Sequence, residues 1–137
     1  MARTPFRVEV LTPEGELFND EVEMVSTRTT TGSIGVLAHH QPLLAILEPT
    51  ELRLYRSESE VERYAQAEGY LQVTPDGVLL LVEQAHDPGD LDPGDLRERL
   101  QRAEDELQRC EESSEEHRVA ERDRKRWETF LRVAEGS

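Results

Sequence analysis

Cysteine, lysine and positive charge are all scarce in this chain of 137 residues. The single cysteine, Cys110, excludes an internal disulfide and leaves a thiolate metal site without a second ligand of its kind. Lys125 is the only lysine and no G-x-x-x-x-G-K-[ST] segment occurs, which excludes a phosphate-cradling nucleotidase loop of that type. Lys and Arg total 16 against 30 Asp and Glu, a net charge of −14 that excludes a nucleic-acid binder, since neutralising phosphates requires a basic face. No apolar run reaches the roughly 18 residues of a membrane span, and Met1 to Phe6 has no signal-peptide core, so a soluble cytoplasmic chain is expected.

What is present divides in two. Residues 1–86 carry 14 acids and 6 bases with five of the seven aromatics, whereas residues 87–137 carry 16 acids and 10 bases in far fewer positions. The first region is broken by turn signals such as Thr12-Pro13-Glu14-Gly15, Glu48-Pro49-Thr50 and Thr74-Pro75-Asp76-Gly77, and reads as short strands. Phe6, Val8 and Val10 alternate with Arg7 and Glu9, and Leu52 and Leu54 alternate with Glu51, Arg53 and Tyr55, as strands with one buried face do. Val78 to Val82 is continuously apolar, the pattern of a strand covered on both faces. A unit of this size without disulfides needs sheets that close on each other, so a β-sandwich or flattened barrel is expected over 1–86.

The second region switches to a helical period. Leu96, Leu100, Ala103, Leu107 and Cys110 form a narrow seam on a helix expected over about 93–111. Ala120, Trp127, Leu131 and Ala134, flanked by Val119, Phe130 and Val133, mark a second helix over about 114–135, with Ser113 and Glu116 in capping-box spacing. A short polar loop between them favours an antiparallel hairpin, and the thin stripes, interrupted by Asp123, predict weak docking on the β unit. The linker 87–92 belongs to a duplication, Asp87-Pro88-Gly89-Asp90-Leu91 then Asp92-Pro93-Gly94-Asp95-Leu96. Its second copy suits a helix start: Asp92 as N-cap, Pro93 at the first helical position, Asp95 as first-turn acid.

Candidate chemistry is sparse. Adjacent His39 and His40 invite a metal reading, but strand neighbours face opposite ways and no further ligand cluster lies near, so a structural or interface role is preferred. Ser113 and Ser114 near His117 are explained by helix capping without an orienting acid. Asp92 and Asp95 likewise read as capping residues rather than an acid–base pair.

The segment Gly32-Ser33-Ile34-Gly35-Val36-Leu37-Ala38-His39-His40-Gln41-Pro42-Leu43-Leu44-Ala45-Ile46-Leu47 resembles the hallmark G-x-[IL]-G-[VIL]-L-P-x-H-x-P-L-L-A-x-L of the epsilon subunit of bacterial rotary ATP synthases, departing at Ala38, where proline is usual. Val8 to Gly15 is similar to that family's first hairpin, Glu68 to Val73 with Val78 to Val82 to its closing hairpin, and Leu131 to Glu135 to its ending. The resemblance implies a non-catalytic central-stalk rotor subunit of a proton-translocating F-type ATP synthase, peripheral on the cytoplasmic face of the bacterial cell membrane and touching the membrane only through the complex. Its partners would be the gamma subunit, the membrane-embedded ring and the catalytic alpha and beta subunits, and its hairpin would inhibit ATP hydrolysis. Ser33 would face the ring, where relatives often carry glutamate, so a charged contact is expected to be missing. His40 would lie toward gamma, Pro42 is a further candidate interface residue, and the basic cluster Arg118, Arg122, Arg124, Lys125 and Arg126 would face an acidic segment of beta, the alternative being an ordinary solvated helix with i,i+4 pairs such as Glu121 and Lys125.

Many relatives also bind ATP through [IL]-D-x-x-R-A at the start of the hairpin. Here Leu91 and Asp92 match, but Asp95 stands in place of the arginine and Leu96 in place of the alanine. A carboxylate at a phosphate-binding position reverses the interaction, so no cofactor is expected. The alternative reading is a free-standing β-sandwich adaptor with a helical interaction arm, and an independent enzyme is the third.

Overall fold

Period-two alternation becomes strands and period 3.6 becomes helices, in the order read from the chain. The computed structural model describes residues 3–136. Its strands are β1 (Phe6–Thr12), β2 (Gly15–Val22), β3 (Met24–Thr29), β4 (Gly32–Val36), β5 (Leu43–Leu47), β6 (Thr50–Tyr55), β7 (Val61–Gln66), β8 (Gly69–Thr74), β9 (Gly77–Val82) and β10 (Ala85–His86). A 3-10 turn at Pro88–Asp90 leads to α1 (Pro93–Arg109) and α2 (Glu115–Glu135).

The strands hydrogen-bond in the order β10-β7-β6-β3-β5-β8-β9-β1-β2, with β4 paired to β3. Most pairs are antiparallel, and β1 with β9 is parallel. The sheet folds over on itself as a sandwich, and its inner face is the main core: Val8 and Val10 of β1, Phe18 and Val22 of β2, Leu52 and Leu54 of β6, Leu71 and Val73 of β8, and Val78, Leu80 and Val82 of β9. Arg56 ties the far ends of the sheet together. Its Nη1 donates to Asp20 on β2 at 2.8 Å, its Nε donates to Glu62 on β7, and its guanidinium lies 5.1 Å from the centre of the Phe18 ring. That guanidinium holds the Asp20 carboxyl below the usual carboxylate range, and the two carboxylates in turn raise Arg56. Gly69 is required by close approach, since a Cβ there would sit 2.0 Å from the carbonyl oxygen of Leu81 on the paired strand.

Both copies of the duplicated pentapeptide build the same cap. Asp87 Oδ1 accepts from the Gly89 amide at 2.8 Å, and Asp92 Oδ1 accepts from the Gly94 amide at 2.9 Å. The first copy stops after one 3-10 turn because Asp92 precedes Pro93 and is held in extended backbone, whereas no proline follows the second copy and α1 runs on. The helices differ from expectation at their inner ends. α1 ends at Arg109 and not near 111, and the cap of α2 is Ser114 and not Ser113. Ser114 Oγ accepts from the His117 amide at 3.1 Å, and its own hydroxyl donates to the carbonyl of Glu111 at 2.7 Å, which locks the turn and selects this serine over its neighbour.

The hairpin packs on β6 and β7 rather than standing apart. Its anchor is Phe130, with 0% of its surface exposed, which enters a second apolar cluster with Leu96, Val133 and two β7-side alanines, Ala65 and Ala67. Small residues there let the helix approach the sheet closely. The rings of His86 and Trp127 each meet Phe130 edge-on at 5.8 Å. α2 is apolar on two adjoining stripes, one toward α1 where Ala120 lies by Ala103, and one toward the sheet through Phe130 and Val133. No helix among the described residues is long and apolar enough to cross a membrane.

Candidate functional site

The outer face of the sandwich is where the structure departs most from sequence expectation. β9 is not covered on both sides: Val78, Leu80 and Val82 point into the core, but Leu81 is 44% exposed. The register places Ile46 of β5 opposite Tyr70 of β8, Tyr70 opposite Leu81, and Leu81 opposite Leu11 of β1. A second row runs Leu44, Gln72, Leu79, Glu9. Leu44 is 73% exposed, Ile46 54% and Tyr70 55%. These two rows form a largely apolar face on four adjacent strands, with Gln72 and Glu9 as its polar members. A contiguous patch of this kind marks a protein-binding surface, because isolated sheets have no reason to leave aligned large aliphatic and aromatic residues in water. The signal was present in two short runs, Leu43 to Leu47 and Val78 to Val82, which are apolar on both faces of an antiparallel sheet.

The loop between β4 and β5 lies at one end of this face. Ser33 is exposed on β4, paired opposite Arg28 beside the Thr30-Thr31 turn, while His40 and Pro42 follow the other end of that strand. His39 takes left-handed backbone, φ 66°, which turns the chain sharply. The amide of His40 donates to the Leu37 carbonyl at 3.2 Å, and its Nδ1 lies 2.7 Å from the Gln41 carbonyl oxygen. Ser33 and His40 are therefore not brought together. Among the described residues no three His, Cys, Asp or Glu side chains gather as metal ligands.

Arg122, Arg124, Lys125 and Arg126 of α2 do not share one face either. Arg122 lies 3.0 Å from Asp123, and Arg124 is engaged by Glu121 and Glu128, which draws the Glu121 carboxyl below its ordinary range and raises Arg124. Lys125 is exposed and borders a cleft of about 640 Å³ between α2 and the β5–β6 turn, which Glu48, Pro49 and Ser114 also line. Arg126 turns the other way, is 8% exposed, and donates from Nε and Nη2 to one oxygen of Glu68 at 3.0 and 2.7 Å. At the start of α1, Asp92 is occupied by its capping bonds and Asp95 accepts from Arg99 Nε at 2.8 Å, with the Arg99 guanidinium 5.2 Å from the Trp127 ring centre.

A β-sandwich with an exposed apolar face and a helical arm packed on β6 and β7 has the architecture of a partner-binding module. Residues 5–88 match the family described as ATP synthase, Delta/Epsilon chain, beta-sandwich domain. The chain is 36% identical to the ATP synthase epsilon chain of Halalkalibacterium halodurans over 93% of its own length and 95% of that protein's, and 36% identical to the one of Persephonella marina over 94% and 96%. It belongs to the ATP synthase epsilon chain family, whose members are non-catalytic subunits. The fold is also that of a chain in the mitochondrial ATP synthase of Euglena gracilis, with TM-score 0.79 at 21% identity over 92% of this chain and 79% of that one. A chain in the central stalk and c-ring assembly of Tetrahymena thermophila mitochondrial ATP synthase aligns with TM-score 0.61 at 17% identity over 98% and 99%.

Proposed function

We propose that this chain is a central-stalk subunit that turns with the rotor of a proton-translocating F-type ATP synthase, coupling rotation of the membrane ring to ATP synthesis, and that its hairpin restrains ATP hydrolysis. The observation that carries the reading is the outer apolar face of β5, β8, β9 and β1. A rotor subunit has to be gripped over a broad, rigid surface, and a sandwich packed on its own core supplies one that resists deformation under torque. Gamma is the partner assigned to that face and to the His40–Pro42 loop, with Ser33 toward the ring and the arm toward the alpha and beta subunits. The chain then sits peripherally on the cytoplasmic face of the bacterial cell membrane, attached through the complex.

The arm's role is tested by hydrolysis measured on the assembled complex. Deleting residues 87–137 is expected to raise the rate several-fold, and alanine at Arg122, Arg124 and Lys125 together to give part of that rise. An unchanged rate after the deletion would overturn the inhibitory role. Arg126 is kept out of this variant because its guanidinium is committed to Glu68.

ATP is not a ligand in this reading. Where related motifs place a cation, Asp95 adds a carboxylate already held by Arg99, so the polyphosphate meets repulsion and loses its bidentate partner. Calorimetric titration of the isolated chain with Mg-free ATP should show no saturable heat, and a micromolar dissociation constant would contradict this.

A further inference from the structure

Among the described residues, every ion pair but one stays within the sandwich, as Arg53 with Glu51 does, or within the hairpin, as Arg97 with Glu135 does. The exception is Arg126 with Glu68. Among the described residues the same two also make the only side-chain hydrogen bonds that join α1 or α2 to the sandwich, Glu68 lying in the turn between β7 and β8. The docked face of α2 is short: Arg126, Thr129, Phe130 and Val133 are its buried positions beyond Ala120, spaced as one stripe of two turns. Phe130 and Val133 meet the sheet by apolar contact, which is non-directional and would tolerate sliding. Arg126 stands at the end of the stripe nearest the α1–α2 loop, and beyond it the cleft bounded by Glu48, Glu68 and Lys125 separates α2 from the β5–β6 turn. The arm leaves the sandwich at this residue.

We propose that Arg126 and Glu68 are the latch that holds and registers the hairpin against the sandwich, and that Arg126 reaches an external partner only after the latch has opened. Nε and Nη2 of the guanidinium converge on one carboxylate oxygen, in a site where Arg126 keeps 9% of its side-chain surface and Glu68 keeps 27%. Opening the pair without rehydrating it leaves a charge desolvated on each side, so the two partners separate only as the helix lifts away. Glu68 lines one side of the cleft, but a pair in contact and this little exposed is screened far less by salt than a surface pair. The guanidinium also lies 5.6 Å from the Trp127 ring centre, which presets its orientation toward the sheet. A basic residue that reads from sequence as part of an exposed cluster is thus internal in the closed arm, and its release is coupled to undocking. This coupling is a property of the isolated chain and does not depend on which subunit binds the outer face.

The test uses the full chain with spin labels on the native Cys110 and on Ser59→Cys, at the exposed β6–β7 turn, and reads the distance distribution between them. The unsubstituted chain should give one narrow population. Glu68→Gln and Arg126→Gln should each raise a second, open population by about tenfold, the scale expected for losing hydrogen bonds to a charged group. Exchanging the charges, Glu68→Arg with Arg126→Glu, should return most of the closed population, which a merely structural defect would not do. Distributions unchanged in both single variants, or a charge-swapped pair as open as the singles, would overturn the latch. If either single variant fails to fold by circular dichroism, Glu68→Asp decides: its carboxylate is one methylene short of Arg126 and should raise the open population, and a distribution unchanged from the unsubstituted chain would overturn the latch equally.

Discussion

Replacing Ile46 with aspartate and Tyr70 with glutamate should abolish capture of the chain by a gamma-type shaft subunit while leaving the isolated protein folded and its melting temperature within a few degrees of the original. The two side chains stand directly opposite each other on β5 and β8 and are more than half exposed, so the isolated sandwich loses little when they become charged. At an interface the accounting is different. An aromatic at the centre of a buried patch commonly contributes about 2 kcal/mol or more, and two carboxylates forced into an apolar contact add a desolvation cost of similar size each. Together these predict a loss of affinity of at least about a thousandfold. Co-purification and titration calorimetry with the partner, beside a thermal melt of the isolated chain, measure both halves of the prediction. Unimpaired binding would remove this face from the interface; a collapsed melting temperature would show that the patch belongs to the core.

The same patch shows how far local pattern carries. Phe6 to Val10 and Leu52 to Leu54 alternate cleanly, and their strands bury the faces that alternation predicts. Val78 to Val82 does not alternate, and an unbroken apolar strand has two explanations that sequence cannot separate: cover by the chain's own second layer, or cover by another protein. Here Leu81 is left open. Caps were legible where proline removes ambiguity, as at Asp92 before Pro93, and ambiguous at Ser113-Ser114, where the choice depends on a hydrogen bond to Glu111 formed only once the turn exists. The resemblance around Gly32 to Leu47 led to the family, but it could not show that Arg126 turns inward. Its partner Glu68 lies 58 positions away, and no local pattern encodes a pair at that separation.

Phe130→Ala is expected to uncouple the hairpin from the sandwich, separating one cooperative melt into two. Phe130 is the largest fully buried side chain among the described residues, yet it belongs to the cluster formed with Ala65, Ala67, Leu96 and Val133 and not to the main core of the sandwich. Truncating a buried phenylalanine costs about 3–5 kcal/mol, and Ala65 and Ala67 are too small to fill the space it leaves. The loss falls on the docking equilibrium, and it is capped there: once the arm has lifted, nothing more of that contact remains to be lost. Trp127 is the only tryptophan and its ring meets Phe130 at 5.8 Å, so its emission reports the arm while β-sheet circular dichroism reports the sandwich. Trp127 emission should change well below the temperature at which the sheet signal falls, whereas Phe130→Leu should keep the two transitions together. Coincident midpoints in the alanine variant would mean that the hairpin is held mainly elsewhere. Because Arg126 and Phe130 lie one turn apart and hold the same surface, adding Arg126→Gln to Phe130→Ala should cost less than the two changes measured separately, as neighbouring contributions to one equilibrium do.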